Sequence, residues 1–371
     1  MTTKIASMGS FRGNIGDILS NDGLEYLFFE LFGNNYQVKR FELRKTFRNY
    51  TGSKRIVFNK DFASDISSNF DYFFIGGGSM LEPFSKLENG IRLEITHEFL
   101  DNIKIPIIFT SVGAAPRSKL AFSEKSKLVE RICKSKNIFK GFRADGSFPW
   151  IQKKYKENLV NCFEVVDNAF LSNTEKFEVK KNDNKPYFIL NLAFDQFKEL
   201  SDHCYKTYLK NISKIIELIC KKRNLFIFLV PHTPQDLFMA SDIIKESKET
   251  IVREFFNISE YNSGEEGLPK YVNLYMNAEF AFCTRFHSTI LSDLTNTPII
   301  SVGVLDRIEY MINSSKINCK KIQIQNQSLN SNLLDNIVEE VLNFSNKNKE
   351  LKSNYSNIAK ETINLYKTFI N

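Results

Sequence analysis

The feature that most constrains the fold is a regular alternation of short apolar runs with longer amphipathic stretches. The apolar runs predict β-strands, several of them buried on both faces as in a parallel sheet. Strands that alternate with helices form βαβ units, so we predict an α/β protein. The predicted strands are residues 4–8, 38–43, 55–58, 72–75, 106–110, 139–142, 187–191, 225–230, 280–283 and 299–302. The predicted helices are residues 16–32, 91–102, 123–134, 201–222, 235–245 and 285–294.

A polar segment at residues 173–185 (NTEKFEVKKNDNK) interrupts this pattern. It is charged and lacks apolar periodicity, which is typical of a domain boundary. A length of 371 residues also fits two domains. We therefore predict two doubly wound halves, residues 1–175 and 185–328, that face each other across a cleft. Residues 329–371 have a helical pattern, and we predict that these helices pack back across a domain.

The composition excludes several classes of protein. Apolar residues make up 42% and charged residues 25% of the chain, so each half can bury a core. The longest apolar run, residues 225–231, is too short to cross a bilayer, and residues 1–10 lack a secretory signal. A net charge of +7 is too small for a nucleic-acid-binding protein and favours anionic small molecules or a weak attraction to anionic lipid. The six cysteines are scattered, which indicates reduced thiols in a cytoplasmic protein without a zinc site.

Small residues occupy three strand ends in the first half. The segment SFRGNIGD, residues 10–17, opens the first helix and contains Asn14, Gly16 and Asp17; Asp17 either caps the helix or binds a hydroxyl. The triplet Gly76, Gly77 and Gly78 and the later Gly113 also follow apolar strands. Because ligands of open α/β sheets bind at the carboxyl ends of the strands, these residues predict a smooth-walled cleft for a sugar or similar polar ligand.

Cationic side chains lie at further strand ends. Arg143 ends a strand and either binds a phosphate or carboxylate or pairs within the protein, with Asp145 or a helix C-terminus. In the second half, His232 follows a strong strand and is either a ligand contact or an inert loop histidine.

The densest signal is FCTRFHS, residues 282–288, where a strand ends and a helix begins. Arg285 and His287 at a helix N-terminus can act together on an anion, and an imidazole can donate or accept a proton near neutral pH. Arg307 follows the next strand and is a further candidate cation.

In their order along the chain, these motifs resemble the polysaccharide pyruvyl transferase family. The residues that carry the resemblance are the N-x-G-D junction at 14–17, the glycines at 76–78 and 113, an R-D-x-x-S-like element at 143–147 with one residue inserted, a V-x-D element at 165–167, the R-x-H-S helix start at 285–288, the strand that begins at Pro298, and Arg307.

The resemblance implies two Rossmann-like domains in a GT-B-like arrangement with an interdomain cleft, the acceptor on the first domain and the donor on the second. It implies transfer of a pyruvyl group from phosphoenolpyruvate to a sugar hydroxyl pair of a glycan or lipid-linked saccharide. The product would be a ketal, formed in cell-surface polysaccharide (exopolysaccharide) biosynthesis. The protein would work in the cytoplasm, with the inner face of the membrane and peripheral association as the alternative location. No cofactor is expected besides the donor substrate, and no oligomeric state is indicated.

The resemblance also implies roles for individual residues. Arg143 and His287 would be catalytic, with His287 the acid or the base. The donor site would comprise Arg143, Arg285, Phe286, His287, Ser288 and Arg307. The acceptor side of the cleft would comprise Asn14, Gly16, Asp17, Gly76, Gly77, Gly78, Gly113 and His232. The family usually has lysine where this chain has Arg307, so the planar guanidinium of arginine replaces the flexible ammonium of lysine.

Two other functions fit the same sequence. A nucleotide-sugar glycosyltransferase of GT-B fold would use the second half to hold a diphosphate. A non-catalytic member would bind glycan or scaffold a biosynthetic complex. Consumption of phosphoenolpyruvate, as against hydrolysis of a nucleotide sugar, separates the first from a pyruvyl transferase.

Overall fold

A computed structural model describes residues 2–52, 54–82, 91–114, 126–156, 159–178, 180, 185–197, 201–303, 305–325, 328–348 and 355–370. The chain forms two compact units. The first unit comprises Met1–Phe11, Asp17–Asn173 and Ser356–Asn371, and the second comprises Arg12–Gly16 and Thr174–Tyr355. Part of the polar segment, residues 179 and 181–184, lies outside the described residues. The domain ranges predicted from the sequence stay a prediction.

The first unit contains a six-stranded parallel sheet in the order β2-β1-β3-β4-β5-β6. Its strands are β1 (Thr3–Gly9), β2 (Tyr36–Glu42), β3 (Tyr72–Gly76), β4 (Ile107–Val112), β5 (Ile138–Arg143) and β6 (Cys162–Val165). β4 and β5 are buried along their whole length. That burial explains why the apolar residues of β4, at positions 107–109, are consecutive rather than alternating.

The second unit contains another six-stranded parallel sheet, in the order β12-β11-β10-β7-β8-β9. Its strands are β7 (Tyr187–Asn191), β8 (Phe226–Leu229), β9 (Phe256–Ile258), β10 (Ala281–Cys283), β11 (Ile299–Ser301) and β12 (Cys319–Lys321). This is the strand order of a Rossmann fold, in which the direction of winding reverses between the two central strands, here β7 and β10.

Helices connect these strands. They are α1 (Ile15–Phe32), α2 (Lys60–Asn69), α3 (His97–Asn102), α4 (Lys127–Lys134), α5 (Ser147–Tyr155), α6 (Phe194–Phe197), α7 (Asp202–Arg223), α8 (Asp236–Glu246), α9 (Glu249–Phe255), α10 (Gly267–Met276), α11 (Phe286–Leu294), α12 (Asp306–Ser314), α13 (Ser331–Asn348) and α14 (Tyr355–Ile370). Among the described residues, none of these helices combines the length and the apolar composition that crossing a bilayer requires.

Some elements differ from the prediction. The predicted strand at residues 55–58 is wrong, since these residues form no strand. The helix predicted at 91–102 begins only at His97, because Thr96 caps it by accepting a hydrogen bond from Phe99 N at 3.1 Å. α4 begins after Ser126, which caps it, and residues 123–125 lie outside the described ones. β6, β9 and β12 were not predicted; each is a short strand at a sheet edge.

The last two described helices belong to different units. α13 packs on α7 and buries Leu334, Val338 and Val341 in the core of the second unit. α14 belongs to the first unit, where the ring of Tyr366 lies 4.6 Å from that of Phe139. Gly141 allows this contact, because a side chain there would meet the hydroxyl of Tyr366.

Candidate functional site

The candidate site in the second unit lies at the carboxyl edge of its sheet. The chain leaves β7 toward Asp195, leaves β8 toward His232 and leaves β10 toward Arg285. β10 and β7 are neighbours, and β8 pairs with β7, so these three ends are adjacent. Ligands of doubly wound sheets bind where the winding reverses, which here is between β7 and β10. Topology thus places the predicted Arg285 and His287 at the point of the sheet where a ligand is expected.

Arg285 is held in one orientation by two carboxylates. Its Nε donates to Asp236 Oδ2 at 2.7 Å, and its Nη2 donates to Asp236 Oδ1 at 2.5 Å and to Asp195 Oδ1 at 2.8 Å. Nη2 also donates to Thr233 Oγ1 at 3.0 Å. Among the described residues, Nη1 has no hydrogen-bond partner. The side chain is 15% exposed. One edge of the guanidinium is therefore bound to Asp236, and Nη1 is left to donate to an anion.

The charge of Arg285 is maintained despite its burial. Burial lowers the pKa of Arg285, but the hydrogen bond to Asp236 and the charges of Asp236 and Asp195 outweigh it and raise the net pKa. Asp236 is in turn fixed by backbone N–H groups, since its Oδ2 accepts from His232 N at 3.0 Å and from Thr233 N at 3.1 Å. The turn after β8 and the start of α11 are thus joined through one buried carboxylate.

His287 lies in the first turn of α11, two residues after Arg285, and is half-buried. The segment Arg12–Gly16, which belongs to the second unit, packs against it. A Cβ built on Gly16 would overlap Nδ1 and Cγ of His287, so only glycine fits at this position. The N-terminus of α11 adds partial positive charge beside the imidazole.

Behind His287 a chain of hydrogen bonds runs into the core. Ser288 Oγ lies 2.8 Å from the hydroxyl of Tyr275, which lies 3.0 Å from Nε2 of His232. His232 is 1% exposed, and among the described residues its Nδ1 has no hydrogen-bond partner. Burial, followed by the charges of Arg285 and His287, lowers the pKa of His232 well below its ordinary value of 6.5. His232 is therefore a buried neutral imidazole, and the alternative of an exposed loop histidine is wrong.

The two other residues of the R-x-H-S start point inward. Phe286 is buried with its ring 5.5 Å from that of His287, and Ser288 is fully buried. Their predicted contacts with substrate stay predictions, while the structure gives them a packing and hydrogen-bonding function beneath the site. Arg307 is half-buried in the first turn of α12, which follows β11, the neighbour of β10. A Cβ on Gly303 would lie 3.7 Å from Thr284 O, so the exits of β10 and β11 are close together.

In the first unit, Arg143 forms a buried ion cluster. Its Nε donates to Asp145 Oδ2 at 2.8 Å and its Nη1 to Asp167 Oδ2 at 3.2 Å. The side chain is 3% exposed. Burial lowers the pKa of Arg143, but the charges of Asp145 and Asp167 outweigh it and raise the net pKa. Of the two alternatives for Arg143, the salt bridge to Asp145 is the one observed, and its contact with phosphoenolpyruvate stays a prediction.

Backbone conformation and close packing explain why the predicted site positions of the first unit are glycines. Gly77 and Gly78 have φ values of +68° and +85°, which favour glycine. Gly76 is close to Thr110, and a Cβ on Gly113 would lie 3.0 Å from Ser79 Oγ and 3.3 Å from Arg143 Nη2. Gly113 therefore lies beside the Arg143 cluster. The winding of this sheet reverses between β1 and β3, so the Gly76–Gly78 turn is at its expected ligand-binding point.

The predicted residues thus fall into two groups. The second unit contains Asn14, Gly16, His232, Arg285, Phe286, His287, Ser288 and Arg307, and the first unit contains Asp17, Gly76, Gly77, Gly78, Gly113 and Arg143. That both groups face one cleft stays a prediction.

Sequence reasoning missed the acidic and phenolic partners of the second group. These are Asp236, Asp195, Thr233 and Tyr275. Of these four, Asp236 was the easiest to recognise from the sequence, because it follows a P-H-T-P-Q turn at a helix start, where an acidic residue is favoured. Tyr275 lies inside an amphipathic helix, and nothing local distinguishes it from a core aromatic residue.

Comparisons with known proteins agree with this architecture. A family model described as polysaccharide pyruvyl transferase matches residues 14–306. No protein in a search of curated sequences matches significantly.

Solved structures resemble the chain over its whole length. A putative UDP-N-acetylglucosamine 2-epimerase from Listeria monocytogenes has a TM-score of 0.61 at 11% identity, covering 100% of this chain and 97% of that one. MnaA from S. aureus with UDP has a TM-score of 0.58 at 14% identity with the same coverage. UDP-GlcNAc 2-epimerase from Neisseria meningitidis bound to UDP-GlcNAc has a TM-score of 0.55 at 12% identity, covering 100% of both chains. At these identities the likeness concerns the fold alone, and it confirms the predicted class of two Rossmann-like α/β domains, as in GT-B proteins.

Proposed function

Because this chain belongs to the polysaccharide pyruvyl transferase family, we propose that it transfers the pyruvyl group of phosphoenolpyruvate to two hydroxyls of a sugar. The acceptor would be a glycan or lipid-linked saccharide, and the product a ketal of a cell-surface polysaccharide. The reaction would take place in the cytoplasm or at the inner face of the membrane. The matched range includes the Arg285–Ser288 helix start and ends one residue before Arg307.

The observation that carries the proposal is the arrangement of Arg285 and His287 at the N-terminus of α11. Phosphoenolpyruvate has a phosphate and a carboxylate, so its site needs several N–H donors and positive charge. Arg285 offers Nη1 from a guanidinium that Asp236 holds in place. Arg307, in the first turn of α12, and the N-terminus of α11 supply further positive charge.

The reaction needs a proton at one carbon and removal of protons from two hydroxyls. The methylene carbon of phosphoenolpyruvate gains a proton and becomes a methyl group. One hydroxyl oxygen adds to C2, the bond from C2 to the phosphate oxygen breaks, and the second hydroxyl closes the ketal as inorganic phosphate leaves. We assign the proton transfer to His287, as acid or as base, a contribution that is typically about 100- to 10,000-fold in rate. Gly16 and Phe286 restrict the ring to one position.

A nucleotide-sugar glycosyltransferase is the second candidate. The neighbours solved with UDP or UDP-GlcNAc have the fold that such an enzyme would use. Fold likeness alone assigns no reaction, and the family match favours the pyruvyl transferase. A glycan-binding member without activity would have no need of an arginine oriented by a buried carboxylate next to a histidine.

The discriminating experiment is a thermal-shift screen followed by a phosphate-release assay. Phosphoenolpyruvate should raise the melting temperature, since a ligand at a hundred times its Kd adds about 2.7 kcal/mol of stability. Inorganic phosphate should then form only when a saccharide acceptor is added. Stabilisation by UDP-sugars with no response to phosphoenolpyruvate would establish the glycosyltransferase instead, and no response to either donor would favour the non-catalytic member.

A further inference from the structure

Two cysteines that are 29 positions apart in the sequence meet in the first unit. Cys133 is in the last turn of α4, and Cys162 is the first residue of β6, the edge strand of the sheet. Each thiol shifts the pKa of the other, so the two side chains lie close together, and Cys162 packs against the core cluster that contains Cys133. The backbone joins the same two segments, since Val160 N donates to Cys133 O at 3.0 Å. Cys162 Sγ lies 3.8 Å from Cys133 O and 3.4 Å from Val160 O.

The two thiols differ in exposure. Cys133 is fully buried, whereas Cys162 is half-buried. A small reagent can therefore reach Cys162 first, and Cys133 lies behind it. An accessible thiol with a second thiol in contact is the arrangement of an attacking and a resolving cysteine.

A buried lysine lies beside the pair. Lys140 of β5 is directly opposite Cys162 in the sheet and is fully buried. Its Nζ donates to Ser135 O at 2.8 Å and to Ile138 O at 2.7 Å. The neighbouring Cys133 thiol lowers the pKa of Cys162; burial opposes this, and the Lys140 ammonium lowers it further. For Cys133, the neighbouring Cys162 thiol and burial raise the pKa. Cys162 is thus the better nucleophile of the two.

We propose that Cys133 and Cys162 are a redox-active pair that hydrogen peroxide converts to a disulfide. The Cys162 thiolate attacks one peroxide oxygen, the O–O bond breaks, hydroxide leaves, and the sulfur is oxidised to a sulfenic acid. Cys133 sulfur then attacks the Cys162 sulfur and loses its proton, the S–O bond breaks, and the oxygen leaves as water. The two thiols lose two electrons, and the peroxide oxygens end as water.

The disulfide would covalently link the end of α4 to the start of β6. A dithiol reverses the reaction by thiol–disulfide exchange. The pair lies at the amino end of β6, whereas Asp167 of the Arg143 cluster follows its carboxyl end. The inference is independent of the reaction proposed above.

The test is peptide mapping of the folded protein after treatment with hydrogen peroxide. Free thiols are alkylated in acid denaturant, the chain is digested, and disulfide-linked peptides are identified by mass. We expect one linked pair, Cys133 with Cys162, lost on treatment with dithiothreitol, while the other four of the six cysteines stay alkylated. Equal oxidation of all cysteines, or a Cys162 sulfenic acid that never resolves, would overturn the proposal.

Four variants sharpen the test. Cys133→Ser should leave a Cys162 sulfenic acid that dimedone traps, and Cys162→Ser should leave Cys133 alkylated. Cys220→Ser, which removes a buried thiol of the second unit, is the matched control and should leave the linked pair unchanged. Lys140→Met should slow alkylation of Cys162 in the native protein by roughly three- to tenfold at neutral pH, because the thiolate loses a neighbouring cation. An unchanged rate would show that Lys140 does not activate Cys162, and the absence of a dimedone label on Cys162 in peroxide-treated Cys133→Ser would refute the proposal.

Discussion

The backbone of Gly16 lies against the imidazole of His287 so closely that a Cβ on Gly16 would overlap the ring atoms Nδ1 and Cγ. This contact explains why position 16 of the N-x-G-D junction is a glycine. The sequence had suggested instead that Gly16 contacts a ligand. It also makes the position of His287 depend on a segment more than 250 residues earlier in the chain.

Gly16→Ala should displace His287. We expect a loss of about 1–3 kcal/mol in the free energy of unfolding, as for an overpacked site, and a fall in turnover of about 100-fold. Urea unfolding and phosphate release measure the two effects. The control is a double-mutant cycle: His287→Ala removes the overlap with the ring and leaves only the contact with its Cβ at 2.8 Å, so Gly16→Ala should then cost less stability. Equal costs in both backgrounds would mean that the contact is not the cause.

His287→Ala should abolish pyruvyl transfer and leave binding of phosphoenolpyruvate measurable. Proton transfer depends on the imidazole, whereas the charge of the donor site is assigned mainly to Arg285 and Arg307. We expect a loss of about 100- to 10,000-fold in kcat, with a thermal shift by phosphoenolpyruvate retained. If turnover stays near normal, His287 is neither acid nor base, and His232 or Asp17 becomes the candidate. If binding is lost, His287 is an anion ligand.

Arg285→Ala should weaken phosphoenolpyruvate binding and also destabilise the protein. Asp236 would lose its cation while its side chain stays 2% exposed, and breaking such a buried pair costs about 3–5 kcal/mol. The double variant Arg285→Ala/Asp236→Asn removes the buried charge and should recover most of the stability without recovering the binding. Recovery of both would show that Arg285 supports the fold only. Calorimetric titration with phosphoenolpyruvate and urea unfolding separate these results.

Arg143→Met tests a residue for which the sequence left two functions open. The variant leaves Asp145 and Asp167 without their cation, so we expect a loss of about 3–5 kcal/mol in stability. If Arg143 also binds phosphoenolpyruvate, the Kd should rise in the folded variant at low temperature. An unchanged Kd together with the stability loss would assign Arg143 to the ion cluster alone. Arg131→Met removes a partly exposed arginine of the same unit that pairs with Asp101, and it is the matched control.

His232 should make stability depend on pH. Its pKa is lowered in the folded protein, so the unfolded chain binds the proton more tightly. The free energy of unfolding should therefore fall as the pH drops below about 6.5, by up to about 1.4 kcal/mol per pH unit, and be flat with respect to this group at higher pH. His232→Gln retains a polar group near Tyr275 but cannot titrate. Its free energy of unfolding should therefore fall less steeply below pH 6.5. If the free energies of the two proteins depend on pH in the same way, His232 is not the group responsible.

Much of the fold could be predicted from local pattern. β4 and β7 begin with uninterrupted apolar runs, residues 107–109 and 187–190, because both faces of the sheet are covered, and such runs can be recognised in the sequence alone. The strands that were missed, β6, β9 and β12, are short edge strands with one neighbour each. Their pairing depends on the neighbouring strand more than on their own composition. The expected strand at residues 55–58 failed for the same reason, since an apolar run without a pairing partner is not a strand.

The sequence by itself determined that the candidate catalytic and ligand-binding residues lie at strand ends. A strand followed by a helix places the intervening residues at the carboxyl edge of a parallel sheet. It identified Arg285, His287 and Arg143 on that basis. Only the tertiary structure decided which partners they have: Asp236 for Arg285, Gly16 for His287, and Asp167 for Arg143. These partners lie between 24 and 271 positions away in the chain. The order of strands in each sheet brings them together, and that order follows from the packing of the whole unit and not from any local segment.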